Sequence, residues 1–167
     1  EIERMAGYGS LFLRHLHLEG QVLREGSIVQ GRLNEILSTL PAYSLATRDL
    51  MGFYTVLEDV RGSFSSATHL MFELATLATV FRHACILGCA VSDRPCFARF
   101  APISQLVRRW GLKSSWSEEF PSLYAYRMYA DGRARRPANP NETLARVWCD
   151  RTEILLDELQ ERLNVSH

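Results

Sequence analysis

Three tyrosines and four arginines crowd into one short segment of this chain: Tyr124, Tyr126, Arg127, Tyr129, Arg133, Arg135 and Arg136. Arginine forks bind phosphate and aromatic faces stack bases. The combination suits a nucleotide or a nucleic acid. A helix ending near Tyr129 sets Tyr126 and Tyr129 three residues apart on one face, with Arg133, Arg135 and Arg136 on the loop beyond. The competing expectation is structural: the same arginines neutralise Glu153, Asp157 and Glu161 on the last helix.

A second constellation is the polar stripe His69, Glu73, Thr76 and His83, which shares one face of a long helix. His69 and Glu73 are within reach of each other. His83 lies roughly 21 Å further along at about 1.5 Å per residue, so the three cannot form one metal site. The simpler expectation is a buried polar tie, with Glu73 or His83 paired to an arginine of a neighbouring helix. The sharper one is an arginine–histidine ribonuclease centre. A third candidate, Gly9-Ser10, has the residue types of a phosphate-binding turn. Its nearest downstream acid is Glu19, however, and no Asp-x-Asp or Asp-x-Glu follows. Paired carboxylates are what a two-metal clamp for phosphoryl chemistry requires. No metal or cofactor is expected: Cys85, Cys89, Cys96 and Cys149 lack the paired C-x-x-C spacing of a zinc site. Cys85 and Cys89 sit one helical turn apart in an apolar stretch and read as small core residues.

Helical periodicity must position these groups. Ala46, Leu50, Phe53, Tyr54, Leu57 and Val60 recur on one helical face within Tyr43–Val60. Ser66–Ala90 is apolar almost all round and belongs at the centre of a bundle. Pro102 suits a helix start and Gly111 a stop, giving Pro102–Trp110. Ser115 or Ser117 is expected to cap a helix over Trp116–Tyr129, and Asn141 a final one running to Leu163. Together with Arg32–Leu40, these predict an all-α antiparallel bundle. Before it, Glu3–Leu18 reads as one helix and Gly20–Gly26 as a short strand. A lone strand needs a pairing partner, so a homodimer or a partner sheet is expected.

Composition sets the class. The chain has 167 residues, 47% hydrophobic, with 19 basic and 19 acidic side chains. That is enough for one packed core. Zero net charge argues against generic coating of DNA, whose affinity depends on excess cation. The charge is nonetheless polarised: residues 94–136 carry 9 basic and 3 acidic groups, and both flanks are acidic. The longest apolar run, Leu70 to Val91, is interrupted by Glu73, Arg82 and His83, so no membrane span is expected. The N-terminus lacks a basic-then-apolar leader. A soluble, cytoplasmic domain is expected, and a chain opening on Glu1 reads as a piece of something longer.

The block GYGSLFLRHLHLEGQVL (Gly7–Leu23) resembles the closing helix and strand of small nucleotidyltransferase-fold domains, which often end in a G-S-x-F-x-x-H-L-x-x-E-G-x-x-L pattern. The stretches RDLMGFYTVLEDV, FELATLATVFRHACILGCAV and YAYRMYADGRARRP are similar to the helical companions of such domains. These companions are HEPN domains and the substrate-binding halves of kinase- and aminoglycoside-type nucleotidyltransferases. The resemblance implies that residues 1–30 are the edge of a nucleotidyltransferase-like core and residues 31–167 a helical bundle domain. It implies a substrate- or partner-binding role, on nucleotide or RNA, beside a nucleotidyltransferase domain in the same or a partner chain. The family's catalytic carboxylates lie upstream of the joining block, so this chain is not expected to catalyse nucleotidyl transfer by itself. The alternative is a HEPN-type ribonuclease, of a toxin or defence system, using Arg82 and His83. Active members of that group place four to six residues between arginine and histidine. Here Arg61 and His69 have seven between them, and Arg82-His83 have none.

Overall fold

A computed structural model describes residues 1–20, 28–64 and 69–165. Among them are eight helices: α1 (Ile2–Gly7), α2 (Leu11–Glu19), α3 (Ile28–Ser38), α4 (Ala46–Gly62), α5 (Leu70–Val91), α6 (Ala101–Trp110), α7 (Ser115–Ala130) and α8 (Glu142–Val165). The chain is an all-α helical bundle. The strand expected over Gly20–Gly26 lies outside the described residues except for Gly20, and the pairing argument drawn from it lies there too.

α5 is the axis, packed against α4, α6, α7 and α8. It is long and apolar enough to cross a membrane, despite Glu73, Arg82 and His83. Thirteen of its residues are nevertheless buried by the surrounding helices. That is how a soluble protein's core helix is used. Phe81 anchors the centre, with ring centroids 5.1 Å from Trp148, 5.5 Å from Phe120 and 6.0 Å from Trp116. The Trp148 and Trp116 contacts are edge-on, a favoured geometry for aromatic pairs. Gly88 lets α6 come close, because a Cβ there would strike Trp110 and Leu106.

Polar ties fix the outer helices. The Arg61 guanidinium donates twice to the Glu153 carboxylate, at 2.8 and 2.6 Å, and the Tyr54 hydroxyl donates to Asp157 at 2.6 Å. Both join α4 to α8. Arg151 lies 2.7 Å from Glu119 of α7 and 4.6 Å above the Trp148 ring. The sequence placed the inter-helix tie on Glu73 or His83, but neither makes a salt bridge among the described residues. The ties run instead from α8 acids to Arg61 and Tyr54 of α4, and from Arg151 of α8 to Glu119 of α7.

Helix ends follow local chemistry. The Asn141 side chain accepts from the Leu144 N–H at 2.8 Å and caps α8 as expected. Neither Ser115 nor Ser117 caps α7: the cap position is Ser114, with no side-chain cap bond, and the Ser117 hydroxyl donates back to the Ser114 carbonyl. α4 starts at Ala46 rather than Tyr43. The preceding residues are drawn to the N-terminal helices instead, the Ser44 N–H donating to Tyr8 O at 3.1 Å and Arg14 to Pro41 O.

The single helix expected over Glu3–Leu18 is two. Gly9 has φ +67°, a left-handed conformation, and the N–H groups of Gly9 and Ser10 turn back to Ala6 O and Met5 O. This is the paired-bond helix stop that glycine favours. A Cβ at Gly9 would also run into the carbonyls of Pro41 and Ala42. The α1–α2 turn is thereby pressed onto the segment leading into α4.

Phe81→Ala is expected to lower stability by about 3–5 kcal/mol in urea unfolding, because the cavity opens at the centre of four helices. Gly9→Ala should cost about 1–3 kcal/mol through backbone strain. Its faster amide exchange should be confined to α1, α2 and the 40–45 segment.

Candidate functional site

Arg82 and His83 fall on the part of α5 that α4, α6, α7 and α8 leave uncovered. There α2, α4, α5 and the segment between α5 and α6 enclose a cleft of about 760 Å³. Ligand pockets usually span roughly 300–1,000 Å³. Its floor is apolar: Val56 from α4, and Ile86 and Leu87 from α5, the last two buried. Phe12 from α2 and Phe53 from α4 both line it, Phe12 being 57% exposed. The rim carries Arg48 and Asp49 at the start of α4, His15 on α2, and Arg82 and His83.

Every rim group but His83 is held. Arg82 serves the wall: its Nε donates to the Arg99 carbonyl at 3.2 Å and its Nη2 to the Phe97 carbonyl at 2.6 Å. From the other side Glu19 accepts the Phe97 N–H at 3.1 Å, and the His15 ring stacks on Phe97 with centroids 4.9 Å apart. The 97–99 segment is therefore pinned by α2 and α5 together. Asp49 accepts the Tyr43 hydroxyl and lies 3.5 Å from Arg48 Nη2. Burial and that hydrogen bond raise the Tyr43 phenol above its ordinary range, so it remains a donor.

His83 is exposed at the cleft, with no hydrogen bond or ion pair from its ring among the described residues. Desolvation by the packed groups around it, and then the charges of Arg82 and Arg127, hold its pKa below the ordinary histidine value; Asp49 opposes this. The imidazole is thus neutral at pH 7, an available proton acceptor. Stacking aromatics, an apolar floor and cations at the rim are what a planar ring bearing an anionic group requires.

The tyrosine–arginine segment is dispersed by the fold. Tyr126 is 3% exposed, its hydroxyl donating to the Ala138 carbonyl at 3.0 Å, so its ring packs the core and offers no stacking face. It sits on the inner side of α7, whereas Tyr129 is 37% exposed. Tyr124 packs edge-on against Phe100, and Arg127 pairs with Asp131 at 3.1 Å. Arg133, Arg135 and Arg136 are exposed and make no salt bridge among the described residues. They do not neutralise α8, since Glu153 is taken by Arg61 and Asp157 by Tyr54. Ser10 is 4% exposed in the α1–α2 turn, so Gly9-Ser10 acts as a hinge rather than an open phosphate cradle. The thiols are set by burial, which raises Cys89 to about 12 and Cys149 to about 11.

Phe12, Arg48 and Asp49 were not singled out in the sequence, and Phe53 was read there only as part of an apolar helical face. Their one signal was an aromatic on each of two amphipathic helices, which no local pattern brings together. No protein-family model, curated protein or solved structure matches this chain. The nucleotidyltransferase and HEPN resemblance accordingly rests on the Gly7–Leu23 block and the texture of the helices.

The lowered pKa of His83 has a defined sign. Above about pH 6.5 the side chain is neutral in both folded and unfolded chains. As pH falls below that value, the unfolded chain takes the proton first and stability declines until the lower, folded pKa is passed. Urea unfolding of the protein and of His83→Gln, at pH 7.5 and pH 5, should show the smaller pH-dependent loss in the variant. An equal loss in both would refute the assignment.

Proposed function

We propose that this domain binds a nucleotide, with its base against the aromatic lining of the cleft and its phosphate at the cationic side chains there. The observation that carries the reading is one cleft lined by Phe12 and Phe53 together with Arg48, Arg82 and His83. The reading keeps the substrate-binding role expected from the sequence and moves it from Tyr124–Arg136 to the α2–α4–α5 cleft. The likeness of Gly7–Leu23 to the closing edge of a nucleotidyltransferase core supports a catalytic domain of that kind in the same or a partner chain. In that arrangement the bundle holds a substrate and the chemistry occurs elsewhere.

A ribonuclease using Arg82 and His83 is the second reading, favoured by their shared place on one wall and by the neutral imidazole. It requires Arg82 to give up the Phe97 and Arg99 carbonyls. RNA breakdown that disappears in both Arg82→Ala and His83→Ala, while surviving in Arg48→Ala, would install it.

Calorimetric titration with each of the four 5′-mononucleotides tests the binding reading. Arg48→Ala and Phe12→Ser remove exposed groups and should leave the melting temperature unchanged. Each should weaken binding by roughly tenfold or more, the scale of one charge-assisted hydrogen bond or one stacked base. No binding by any nucleotide would overturn the reading. Binding insensitive to both substitutions but lost in Arg133→Ala/Arg135→Ala would return the site to the α7 loop.

A further inference from the structure

A second cavity, of about 680 Å³, borders the segment between α5 and α6 that also lines the cleft, and is lined by Arg94, Pro95, Gln105, Arg108 and Arg109. No acidic residue lines it. The three arginines are exposed, and none makes a salt bridge among the described residues. Arg109 also borders a neighbouring hollow whose charged lining is Asp93, Glu158, Glu161 and Arg162, with Glu158 paired to Arg162 at 3.1 Å. Three guanidinium groups around one empty space repel each other, and an anion relieves that repulsion.

The cluster is also built. The Arg94 N–H donates to Cys89 O at 3.0 Å, closing the end of α5 around Asp93, which stands at φ +56°. Gln105 Nε2 donates to the Arg94 carbonyl at 3.0 Å and ties that segment to α6. Arg108 Nε donates to Ser104 O at 3.2 Å, which leaves its terminal nitrogens for an outside acceptor. The arginines therefore stand on anchored backbone at fixed places.

One segment serves both sites. Arg94 lines the arginine cavity and Phe97 the cleft, three residues on, at most roughly 11 Å apart even if fully extended. We infer that the ligand is a single-stranded nucleic acid, with one base in the cleft and the phosphodiester backbone running over Arg94, Arg108 and Arg109. This deepens the nucleotide reading: a free nucleotide uses the cleft alone, and a strand uses both.

Fluorescence anisotropy of the full chain with a labelled single-stranded RNA of about ten nucleotides tests this, with DNA of the same sequence as a parallel probe. Three phosphate contacts predict a slope near −2 of log affinity against log salt, or roughly a twentyfold loss between about 50 and about 200 mM. Arg108→Glu/Arg109→Glu, with Arg108→Gln/Arg109→Gln as the milder pair, should flatten that slope and weaken strand binding. Mononucleotide binding in the cleft should be unchanged. Arg133→Glu/Arg136→Glu, removing free arginines elsewhere, should have the smaller effect. Strand binding unaffected by the 108/109 changes, or lost equally in the 133/136 control, would overturn the inference while leaving the cleft reading intact. Strand binding that depends on 108/109 while no mononucleotide binds would keep the arginine surface and remove the cleft.

Discussion

The rest of the structure depends on burying α5. A helix that is apolar on nearly every face cannot rest on a surface; it has to be surrounded, and each CH₂ group withdrawn from water is worth about 0.8 kcal/mol. Four helices do this, each presenting one apolar stripe, and the aromatic contacts of Phe81 interlock three elements at the midpoint. The enclosure is incomplete along one line. Arg82 and His83, whose charge or polarity burial would penalise, lie there and line the cleft. Exposure on α5 does not follow polarity alone, since Phe72 is 66% exposed.

Arg82 turns that gap into a site. Its two donors meet backbone carbonyls of the 97–99 segment, and Glu19 takes an amide of the same segment from the opposite side. These are charge-assisted bonds, stronger than neutral ones. They hold Phe97 against His15 and fix the wall of the cleft. The same bonds explain why adjacency of Arg82 and His83 in sequence does not make them a pair. The arginine is committed to structure, and the histidine faces the cavity without a partner from its ring.

How legible this was in the sequence differs by feature. The helices were readable because α4, α5, α6 and α8 carry apolar periods long enough to outweigh local noise, and Asn141 caps α8 through a contact three residues away. The break at Gly9 was missed because periodicity averages across a turn, while the turn is decided by one left-handed residue and its approach to Pro41 and Ala42. Tyr126 was misplaced for a related reason. Helical spacing puts Tyr126 and Tyr129 near each other, but α5 packs on the side that swallows Tyr126. The cleft was not legible at all, since its lining residues come from α2, α4, α5 and the segment before α6 and no local pattern joins them.

Charge gives the last step. The acidic flanks are largely consumed inside the fold: Glu153 by Arg61, Asp157 by Tyr54, Glu142 by Arg146, Glu158 by Arg162. In the basic middle, Glu119 goes to Arg151 of α8 and Asp131 to Arg127. Arg94, Arg99, Arg108, Arg109, Arg133, Arg135 and Arg136 are then left without a carboxylate within salt-bridge distance among the described residues. Glu35, Glu58, Asp59, Asp93, Glu118 and Glu161 are likewise exposed without a salt bridge among the described residues, so unpaired groups of both signs reach the surface. Pairs on the surface contribute roughly 0.2–1 kcal/mol each, so leaving seven arginines out of them forfeits little stability. What those arginines gain is geometry: Arg94, Arg108 and Arg109 converge on one cavity, joined by a short pinned segment to the aromatic cleft. What sets these three apart from the other exposed charges is a shared cavity with no acid in its lining, a placement that net charge does not reveal.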